Sequence, residues 1–406
     1  MATERLDARR AEGLILNMRP REDLLHNAHR EARVRGLHDI AIFDVDCHII
    51  ETMRLAEIVP YISNEAIRDR YEMVPESAGL NLPSTYGDKD VAGRIYRSEH
   101  VPGTRGVPRI ADLLGDLRLM GVDHASVFPT PMLALGEHPE VDVEVALGRA
   151  YNRWLIDHVL IDHPTLKAML YLPFNDPEAA LEEVVELGDK PGVVGFLVTS
   201  VRRNPVYHDA FMPVYAALEE RGLPIGFHGG VNWTKDSASG ALNRFLTVHA
   251  LDFPLYNMIH LFNIIINGLP ERFPRLKWVF YEAGLSWLAF VAMRLDHEYM
   301  MRPSEAPQLR KKPSEYLKDM YFATQPLEYP SKIEYLEMIF DMVNGGSQFL
   351  YASDYPHWDF DLPSKIYDLP FLSEREKLQV LGGNAYRLFN MESEATGLTR
   401  LENRAV

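Results

Sequence analysis

Cysteine, basic charge and long apolar runs are all scarce in this chain of 406 residues. The single cysteine, Cys47, excludes an intrachain disulfide and favours a reducing cytoplasm. Acidic residues outnumber basic ones by 58 to 42, and the formal charge of -16 disfavours binding to nucleic acid or to an anionic membrane surface. No apolar run approaches the roughly 20 residues of a membrane span. We expect no signal peptide, because the charged N-terminus lacks an apolar segment.

What remains is the composition of an ordinary soluble globular protein, with 47% hydrophobic and 25% charged residues. Short apolar runs rich in β-branched and aromatic residues recur along the chain, each bounded by a turn or helix signal. They are mostly continuous rather than alternating, which is typical of strands buried on both faces of a parallel sheet. The eight runs are Ala41–Cys47, Ala125–Phe128, Ala168–Leu172, Val193–Val198, Pro224–His228, Lys277–Tyr281, Met320–Thr324 and Phe349–Ser353.

Helical patterns lie between these runs. Residues 177–187 follow Asp176 as a predicted N-cap, and Pro177 occupies the first helical position. Residues 210–221 also read as a helix, and residues 373–381 begin with Ser373 and Glu376 at the spacing of a capping box. Eight alternating strands and helices predict an α/β fold, a (β/α)8 TIM barrel, rather than a doubly wound sheet of fewer strands.

Two long inserts interrupt this alternation. One runs from Glu51 to Asp112 after strand 1, and the other from Asp296 to Tyr316 after strand 6. Loops of this size usually cover an active site or form a subunit contact. We predict a barrel domain over residues 39–392, preceded by an N-terminal extension (1–38) and followed by a tail (393–406). The extension is either an arm that packs on a partner subunit or a solvated helix.

Residues that can bind a metal fall at the ends of the predicted strands. Asp46 and His48 end the first run, and His228 ends the fifth. Glu282 follows the sixth run and Asp354 the eighth. The carboxyl ends of barrel strands converge on one face, where catalytic groups lie, so these five side chains are expected to meet. Residues two apart on a strand point the same way, which lets Asp46 and His48 face one ion.

Imidazole and carboxylate together suit Zn, Mn or Fe, and we predict one or two such ions. Each residue alone also has a simpler explanation. The Asp-x-His pair fits a polar turn and His228 a buried core histidine, while Glu282 and Asp354 are suited to helix starts. Because all five residues occur at the ends of predicted strands, we favour a metal site over these separate explanations.

Seven motifs stand out along the chain. They are DVDCHIIE (44–51), MGVD (120–123), FHGG (227–230), GLPERFPRLK (268–277), EAGLSWL (282–288), SDYPHWD (353–359) and GGNAYRLF (382–389). Through these motifs the chain resembles the amidohydrolase-related, metal-dependent family, in the group of aminocarboxymuconate-semialdehyde decarboxylase, over roughly residues 40–390.

The resemblance implies a barrel with a mononuclear or dinuclear metal centre. Carried across by position, Asp46 and His48 match the first-strand metal pair, while His228 and Asp354 match the fifth- and eighth-strand ligands. Two positions depart from the best-known members. The first pair there is His-x-His, and the sixth-strand residue is a catalytic histidine where this chain has Glu282. At both positions this chain has a carboxylate side chain, Asp46 or Glu282, in place of a histidine.

Those additional carboxylates support a second hypothesis, in which two metals are bound. Further candidate ligands would then be Glu51, His249, His260 and His357, the last being either a support for Asp354 or a surface residue. Three arginines of the first insert could grip a substrate carboxylate, although arginines in such inserts are usually solvated; they are Arg94, Arg97 and Arg105. Gly229-Gly230 belongs to no nucleotide-binding fingerprint.

We therefore predict a metal-dependent hydrolase or non-oxidative decarboxylase of a small carboxylated, cyclic or aromatic compound. Asp46, His48, His228, Asp354 and Glu282 are the predicted metal ligands. Glu282, Asp354 and His228 are the predicted catalytic groups, with the proton moved by Glu282, or by Asp354 when it does not bind the metal. Two alternatives are a dinuclear Fe or Mn/Fe monooxygenase component and a non-catalytic paralogous subunit. The expected partners are a small-molecule substrate and either further copies of the chain or a paralogue.

Overall fold

The computed structural model describes residues 21–73, 109–199, 204–229, 242, 245–357 and 359–397. Eight parallel strands form one sheet in which each strand pairs with its neighbours in sequence. The strands are β1 (Phe43–Ile49), β2 (His124–Pro129), β3 (Leu166–Tyr171), β4 (Val193–Thr199), β5 (Ile225–His228), β6 (Trp278–Tyr281), β7 (Tyr321–Ala323) and β8 (Phe349–Leu350). Each overlaps one of the predicted runs, so the TIM-barrel prediction is confirmed.

Helices alternate with these strands. The α-helices are α1 (Arg21–Val34), α2 (Leu55–Ile58), α3 (Glu65–Glu72), α4 (Ile110–Met120), α5 (Val141–Leu155), α6 (Pro177–Leu187), α7 (Met212–Arg221), α8 (Phe245–Ile266), α9 (Leu269–Arg272), α10 (Ser286–Met301), α11 (Pro313–Leu317), α12 (Ile333–Val343), α13 (Gly345–Gln348), α14 (Ser364–Tyr367), α15 (Glu374–Leu378), α16 (Asn384–Leu388) and α17 (Glu392–Gly397). Asp176 caps α6 by accepting from two backbone amides, and Ser373 forms the predicted capping box with Glu376. None of the helices in these ranges has the length and apolar character to cross a membrane.

The barrel closes along a seam between β1 and the segment that follows β8. The Val45 and His48 amides donate to the Tyr351 and Tyr355 carbonyls at 3.0 and 2.7 Å. In the opposite direction, the Asp354 amide donates to the Asp46 carbonyl at 2.8 Å. The first and last strands are therefore held side by side at the level of the predicted metal ligands.

Two apolar layers pack on the sheet, one inside the barrel and one between the sheet and the helices. Phe43 and Val45 belong to the interior cluster, which residues of the C-terminal helices such as Phe389 close from one end. Cys47 is fully buried in the outer cluster, as its place beside Asp46 and His48 predicts. The β1–β2 register shifts between Asp44 and Cys47, which accounts for the change of side after Val45.

The connections differ in length from the predicted pattern. A long connection between β5 and β6, described in part, contains α8, which the sequence presents only as an apolar stretch. Residues 296–301 of the second predicted insert belong to α10, and 313–316 belong to α11. Residues 74–108 of the first insert lie outside the described residues, together with Arg94, Arg97 and Arg105.

The start of the predicted N-terminal extension also lies outside the described residues, but α1 packs on the barrel. Leu25, Ala28 and Ala32 on α1 are buried. Just beyond α1, the Arg35 guanidinium donates to both carboxylate oxygens of Asp368, at 2.7 and 2.6 Å. The domain limits at 38 and 393, and the cytoplasmic location, stay predictions.

Packing at one glycine gives a first test of the fold. A Cβ at Gly382 would overlap the backbone carbonyl oxygen of Ala41, which cannot move without shifting the approach to β1. We expect Gly382→Ala to lower the free energy of unfolding by about 3 kcal/mol. Gly115, inside α4, has nothing within 4 Å of the point that a Cβ would occupy, so Gly115→Ala is the matched control. It should raise stability by about 0.5–1 kcal/mol. Urea unfolding of both variants checks this, and equal stabilities would contradict it.

Candidate metal centre

The five residues predicted from strand ends meet in one pocket. Asp46 and His48 lie on β1, and His228 is the last residue of β5. Glu282 directly follows β6, and Asp354 follows β8. All five side chains are at most 1% exposed. The parallel order of the strands brings their carboxyl ends, and hence these residues, to one face.

Distances between the five are short. His48 Nε2 lies 3.1 Å from Asp46 Oδ1 and 3.2 Å from Asp354 Oδ1. His228 Nε2 lies 3.5 Å from Asp46 Oδ2 and 3.5 Å from Glu282 Oε2. The donor atoms form two groups that could each hold an ion, with Asp46, His48 and His228 in one and His48, Glu282, Asp354 and His357 in the other. The assignment of these residues as ligands remains a proposal.

The two imidazoles are oriented by their other nitrogens. His48 Nδ1 lies 2.9 Å from the Pro129 carbonyl oxygen, and His228 Nδ1 lies 2.7 Å from the Gly229 carbonyl oxygen. A carbonyl oxygen only accepts, so each Nδ1 must carry the proton. Each Nε2 then directs a lone pair at the carboxylates, which is how a metal-binding histidine is usually held.

Unsatisfied buried atoms show that these residues fit a cation. Both oxygens of Asp46, both oxygens of Glu282, Asp354 Oδ1 and His48 Nε2 make no hydrogen bond within the described part of the chain. Buried carboxylate without a donor is costly, because the charged group has lost its water. A divalent cation bound among these atoms would take the place of the missing donors for those within its reach.

Burial and the short distances between these charged groups also shift their pKa values. Burial raises the pKa of Asp354 to about 7, and burial together with the Asp354 charge raises the pKa of Glu282. Burial acts upward on Asp46 too, but His228 and His48 hold its pKa below the ordinary value. Burial, with the neighbouring His48, lowers the pKa of His357 to about 3. A bound cation would reverse the upward shifts by favouring the ionised carboxylates.

His357 is a fully buried member of this pocket, which decides between its two predicted roles. Its ring stacks on His48 with 4.1 Å between centroids, and its Nδ1 lies 2.7 Å from Asp354 Oδ1. Two other candidates from the larger ligand set face elsewhere. Glu51 accepts the Thr130 and Met132 amides at 2.9 and 2.6 Å, and His260 packs on Phe227 of the outer core.

Residues that sequence reasoning missed border the pocket. Gln325 Nε2 donates to Asp354 Oδ2 at 3.3 Å and to Asp359 Oδ2 at 3.2 Å. His249, a candidate only for a second metal, reaches in from α8, with its Nε2 3.7 Å from Glu282 Oε1 and 3.8 Å from Asp359 Oδ2. Gln325 directly follows the seventh predicted run but is not a metal-binding residue type, and Asp359 lies beyond the end of the eighth. The neighbouring Trp358 and Gly230 lie outside the described residues.

Asp44 ties the two sides of the seam together beneath the ligands. Its carboxylate accepts the Ser353 amide at 2.8 Å, the Ser353 hydroxyl, and the Asp46 amide at 3.2 Å. Burial raises the pKa of Asp44 to about 8. The Ser353 hydroxyl also accepts the Tyr355 amide at 3.0 Å, so it braces the backbone on both sides of Asp354.

We therefore expect Ser353→Ala to weaken Mn²⁺ binding by about 10–100-fold, the usual effect of removing a residue that orients a ligand. Titration of metal-free protein with Mn²⁺ measures this. Ser364→Ala is the control, because its hydroxyl bonds to Glu31 at 2.7 Å, away from the pocket. An unchanged affinity in Ser353→Ala would show that the hydroxyl has no positioning role.

Known proteins resemble this chain in sequence and in fold. A family model described as Amidohydrolase matches residues 44–391. Gamma-resorcylate decarboxylase from Rhodococcus jostii is 22% identical over 79% of this chain and 95% of its own length. The solved 5-carboxyvanillate decarboxylase from Sphingomonas paucimobilis superposes with a TM-score of 0.62 at 20% identity, covering 86% of this chain and 99% of that one. A dihydroxybenzoic acid decarboxylase from Polaromonas, solved with bound manganese, gives a TM-score of 0.62 at 16% identity, covering 90% of this chain and 99% of that one.

Proposed function

The chain belongs to the amidohydrolase family, and from this we propose that it is a metal-dependent, non-oxidative decarboxylase of an aromatic carboxylic acid. The observation that carries the proposal is the buried set of Asp46, His48, His228 and Asp354 at the strand ends, in which both Asp46 oxygens and Asp354 Oδ1 accept no hydrogen bond from the described residues. The decarboxylases among its relatives give the reaction class.

Asp46, His48, His228 and Asp354 would hold the primary cation. Two imidazoles and two carboxylates suit Mn²⁺, Fe²⁺ or Zn²⁺, and Mn²⁺ is the ion we propose because carboxylates are hard donors. The Polaromonas relative contains manganese. Oxygens of the substrate could complete the coordination of such an ion beside these four residues. We assign His228 to metal binding.

The relatives suggest the kind of substrate. Both 2,6-dihydroxybenzoate and 5-carboxyvanillate, named for related enzymes, carry a hydroxyl beside the carboxylate that is lost. Such neighbouring oxygens can bind one cation together. When bound, the cation would supply a Lewis acid that draws electron density from the substrate oxygens.

A residue of the chain must then supply the one proton that the reaction requires. The bond between the ring carbon and the carboxylate breaks, CO2 leaves with no net oxidation, and the electron pair left on the ring carbon takes a proton. We assign that proton to Asp354 when it is not bound to the cation; its Oδ2 accepts from Gln325 Nε2 at 3.3 Å, and its Oδ1 lies 2.7 Å from His357 Nδ1. The ordered carboxyl group is thereby presented in one orientation.

A substrate panel tests the proposal. Mn²⁺-loaded protein is incubated with 2,6-dihydroxybenzoate, 5-carboxyvanillate and benzoate, and the CO2 and the decarboxylated ring are quantified. We expect release of CO2 from a substrate with a hydroxyl beside the carboxylate and none from benzoate. Hydrolysis of aromatic esters or amides, with no CO2 from any hydroxybenzoate, would contradict the proposal and favour a hydrolase.

We also propose that the enzyme assembles with further copies of itself or with a paralogue. Large apolar side chains are exposed on α10, including Phe290 (54%) and Met293 (60%). Such side chains on one helix are typical of a subunit contact. Light scattering coupled to size-exclusion chromatography gives the mass, and a monomer would contradict the homo-oligomer.

A further inference from the structure

A buried side-chain amide beside Asp354 has an oxygen that accepts no hydrogen bond. Gln325 lies just beyond β7, at the carboxyl end of the barrel, and is fully buried. Its Nε2 donates to Asp354 Oδ2 at 3.3 Å and to Asp359 Oδ2 at 3.2 Å, whereas its Oε1 has no donor among the described residues. A buried amide oxygen without a donor is costly, so a donor is expected from a molecule that binds there.

The orientation of this amide is set by the two acceptors that it faces. Both belong to carboxylate groups, so the nitrogen rather than the oxygen of the Gln325 amide must lie on their side. The backbone is held as well, because the Gln325 carbonyl accepts from the Gly284 amide at 3.3 Å and the Thr324 amide donates to the Leu350 carbonyl at 2.9 Å. Oε1 is therefore an acceptor in a fixed position beside the proposed metal ligands.

We propose that Gln325 is a specificity-determining residue, whose Oε1 accepts a hydrogen bond from a hydroxyl group of the aromatic substrate. This inference rests on the proposed function. The incoming group must be a donor, because an amide oxygen only accepts. A carboxylate of the substrate does not meet this requirement, and Asp354 and Asp359 would repel it. A phenolic hydroxyl is an uncharged donor, and the expected class of substrate carries one.

The ring position of this hydroxyl follows from the role assigned to Asp354. That carboxyl group has to reach the ring carbon that loses CO2, and the Gln325 amide is bonded to one of its oxygens. Oε1 is then nearest to substituents on the two carbons adjacent to that ring carbon. One of these carries the hydroxyl that binds the cation together with the carboxylate. The hydroxyl that bonds to Gln325 is therefore on the other adjacent carbon, as in a 2,6-dihydroxybenzoate.

Two isomeric ligands that cannot lose CO2 test this contact. In 2-nitroresorcinol both carbons beside the nitro-bearing carbon carry hydroxyls, whereas in 4-nitroresorcinol only one does. Calorimetric titration of the full-length, Mn²⁺-loaded protein gives the two dissociation constants. We expect 2-nitroresorcinol to bind about 10–100-fold more tightly, because its isomer leaves Oε1 buried without a donor. In Gln325→Met, which has a side chain of similar length but no oxygen, this preference should fall by about 10-fold or more.

Comparison of two ligands separates recognition of the hydroxyl from support of the acids. Gln325→Met also removes the donor to Asp354 and Asp359, but this loss affects both isomers alike and cancels in the ratio of their dissociation constants. Gln348→Met is the matched control. Gln348 Nε2 donates to the Lys318 carbonyl at 2.7 Å, away from the pocket, so this variant should keep the full preference for 2-nitroresorcinol.

Equal binding of the two isomers by the unaltered protein would overturn the proposal, as would binding of neither isomer. An undiminished preference in Gln325→Met would do the same and would indicate that a water molecule donates to Oε1. The binding ratio does not depend on turnover. The expected ratios without CO2 release from any hydroxybenzoate would support this contact and refute the decarboxylase, whereas CO2 release with an unchanged ratio would refute the contact alone.

Discussion

Asp354→Asn is expected to lower kcat for decarboxylation by about 10³-fold, the contribution typical of a positioned acid or base. Asparagine keeps the size of the side chain and can still bond to Gln325, but it carries no proton that a ring carbon can take. It also removes a negative ligand, so Mn²⁺ should bind more weakly. Steady-state kinetics at saturating Mn²⁺ separates the two effects, because added metal restores occupancy but not the missing acid.

Asp116→Asn is the matched control for this variant. Asp116 is a buried acid that accepts the Tyr355 hydroxyl at 2.7 Å, and Tyr355 is next to Asp354 in sequence but directs this hydroxyl outside the pocket. The asparagine retains an acceptor for that hydroxyl, so kcat should stay close to that of the unaltered protein. A loss of less than tenfold in Asp354→Asn, with metal fully bound, would assign the proton to another group.

Removal of metal is the second change with a large expected effect. Exhaustive dialysis against a chelator should reduce CO2 release to the level of the heat-denatured protein, since the cation is the proposed Lewis acid for the substrate oxygens. Stability should fall as well. A ligand at a hundredfold excess over its Kd stabilises the folded state by about 2.7 kcal/mol, and this is lost with the ion.

Mn²⁺ added back should restore both the activity and the melting temperature, which excludes damage by the chelator. The melting curve provides a readout that is independent of any substrate. Protein shown by elemental analysis to be free of metal, yet still active and equally stable, would rule out the metal-dependent mechanism. Recovery with Mg²⁺ alone would instead argue against the imidazole ligands, because Mg²⁺ prefers oxygen donors.

The strands and the five central residues could be predicted from sequence for related reasons. Strands buried on both faces read as continuous apolar runs, as in Val193–Thr199, so their number and order could be read directly. Once the strands are placed, the carboxyl-end rule of the barrel puts His228, Glu282 and Asp354 on one face without any knowledge of distances.

The supporting residues could not be predicted in this way. Gln325 approaches Asp354 across 29 positions in sequence, from a short strand end that contains no metal-binding residue type. His249 enters on α8, an apolar helix in a connection whose path depends on packing rather than on local pattern. The ring stacking of His357 on His48 likewise depends on the turn after Asp354. The division of the donors into two groups also requires coordinates.

The β1–β8 seam has a consequence for the order of events during synthesis. Asp46 and His48 leave the ribosome well before Asp354, and the donor atoms of the two strands are adjacent only when the seam has formed. A nascent chain that ends before β8 lacks Asp354 and therefore one of the proposed metal ligands. We therefore expect metal loading to follow the formation of the seam.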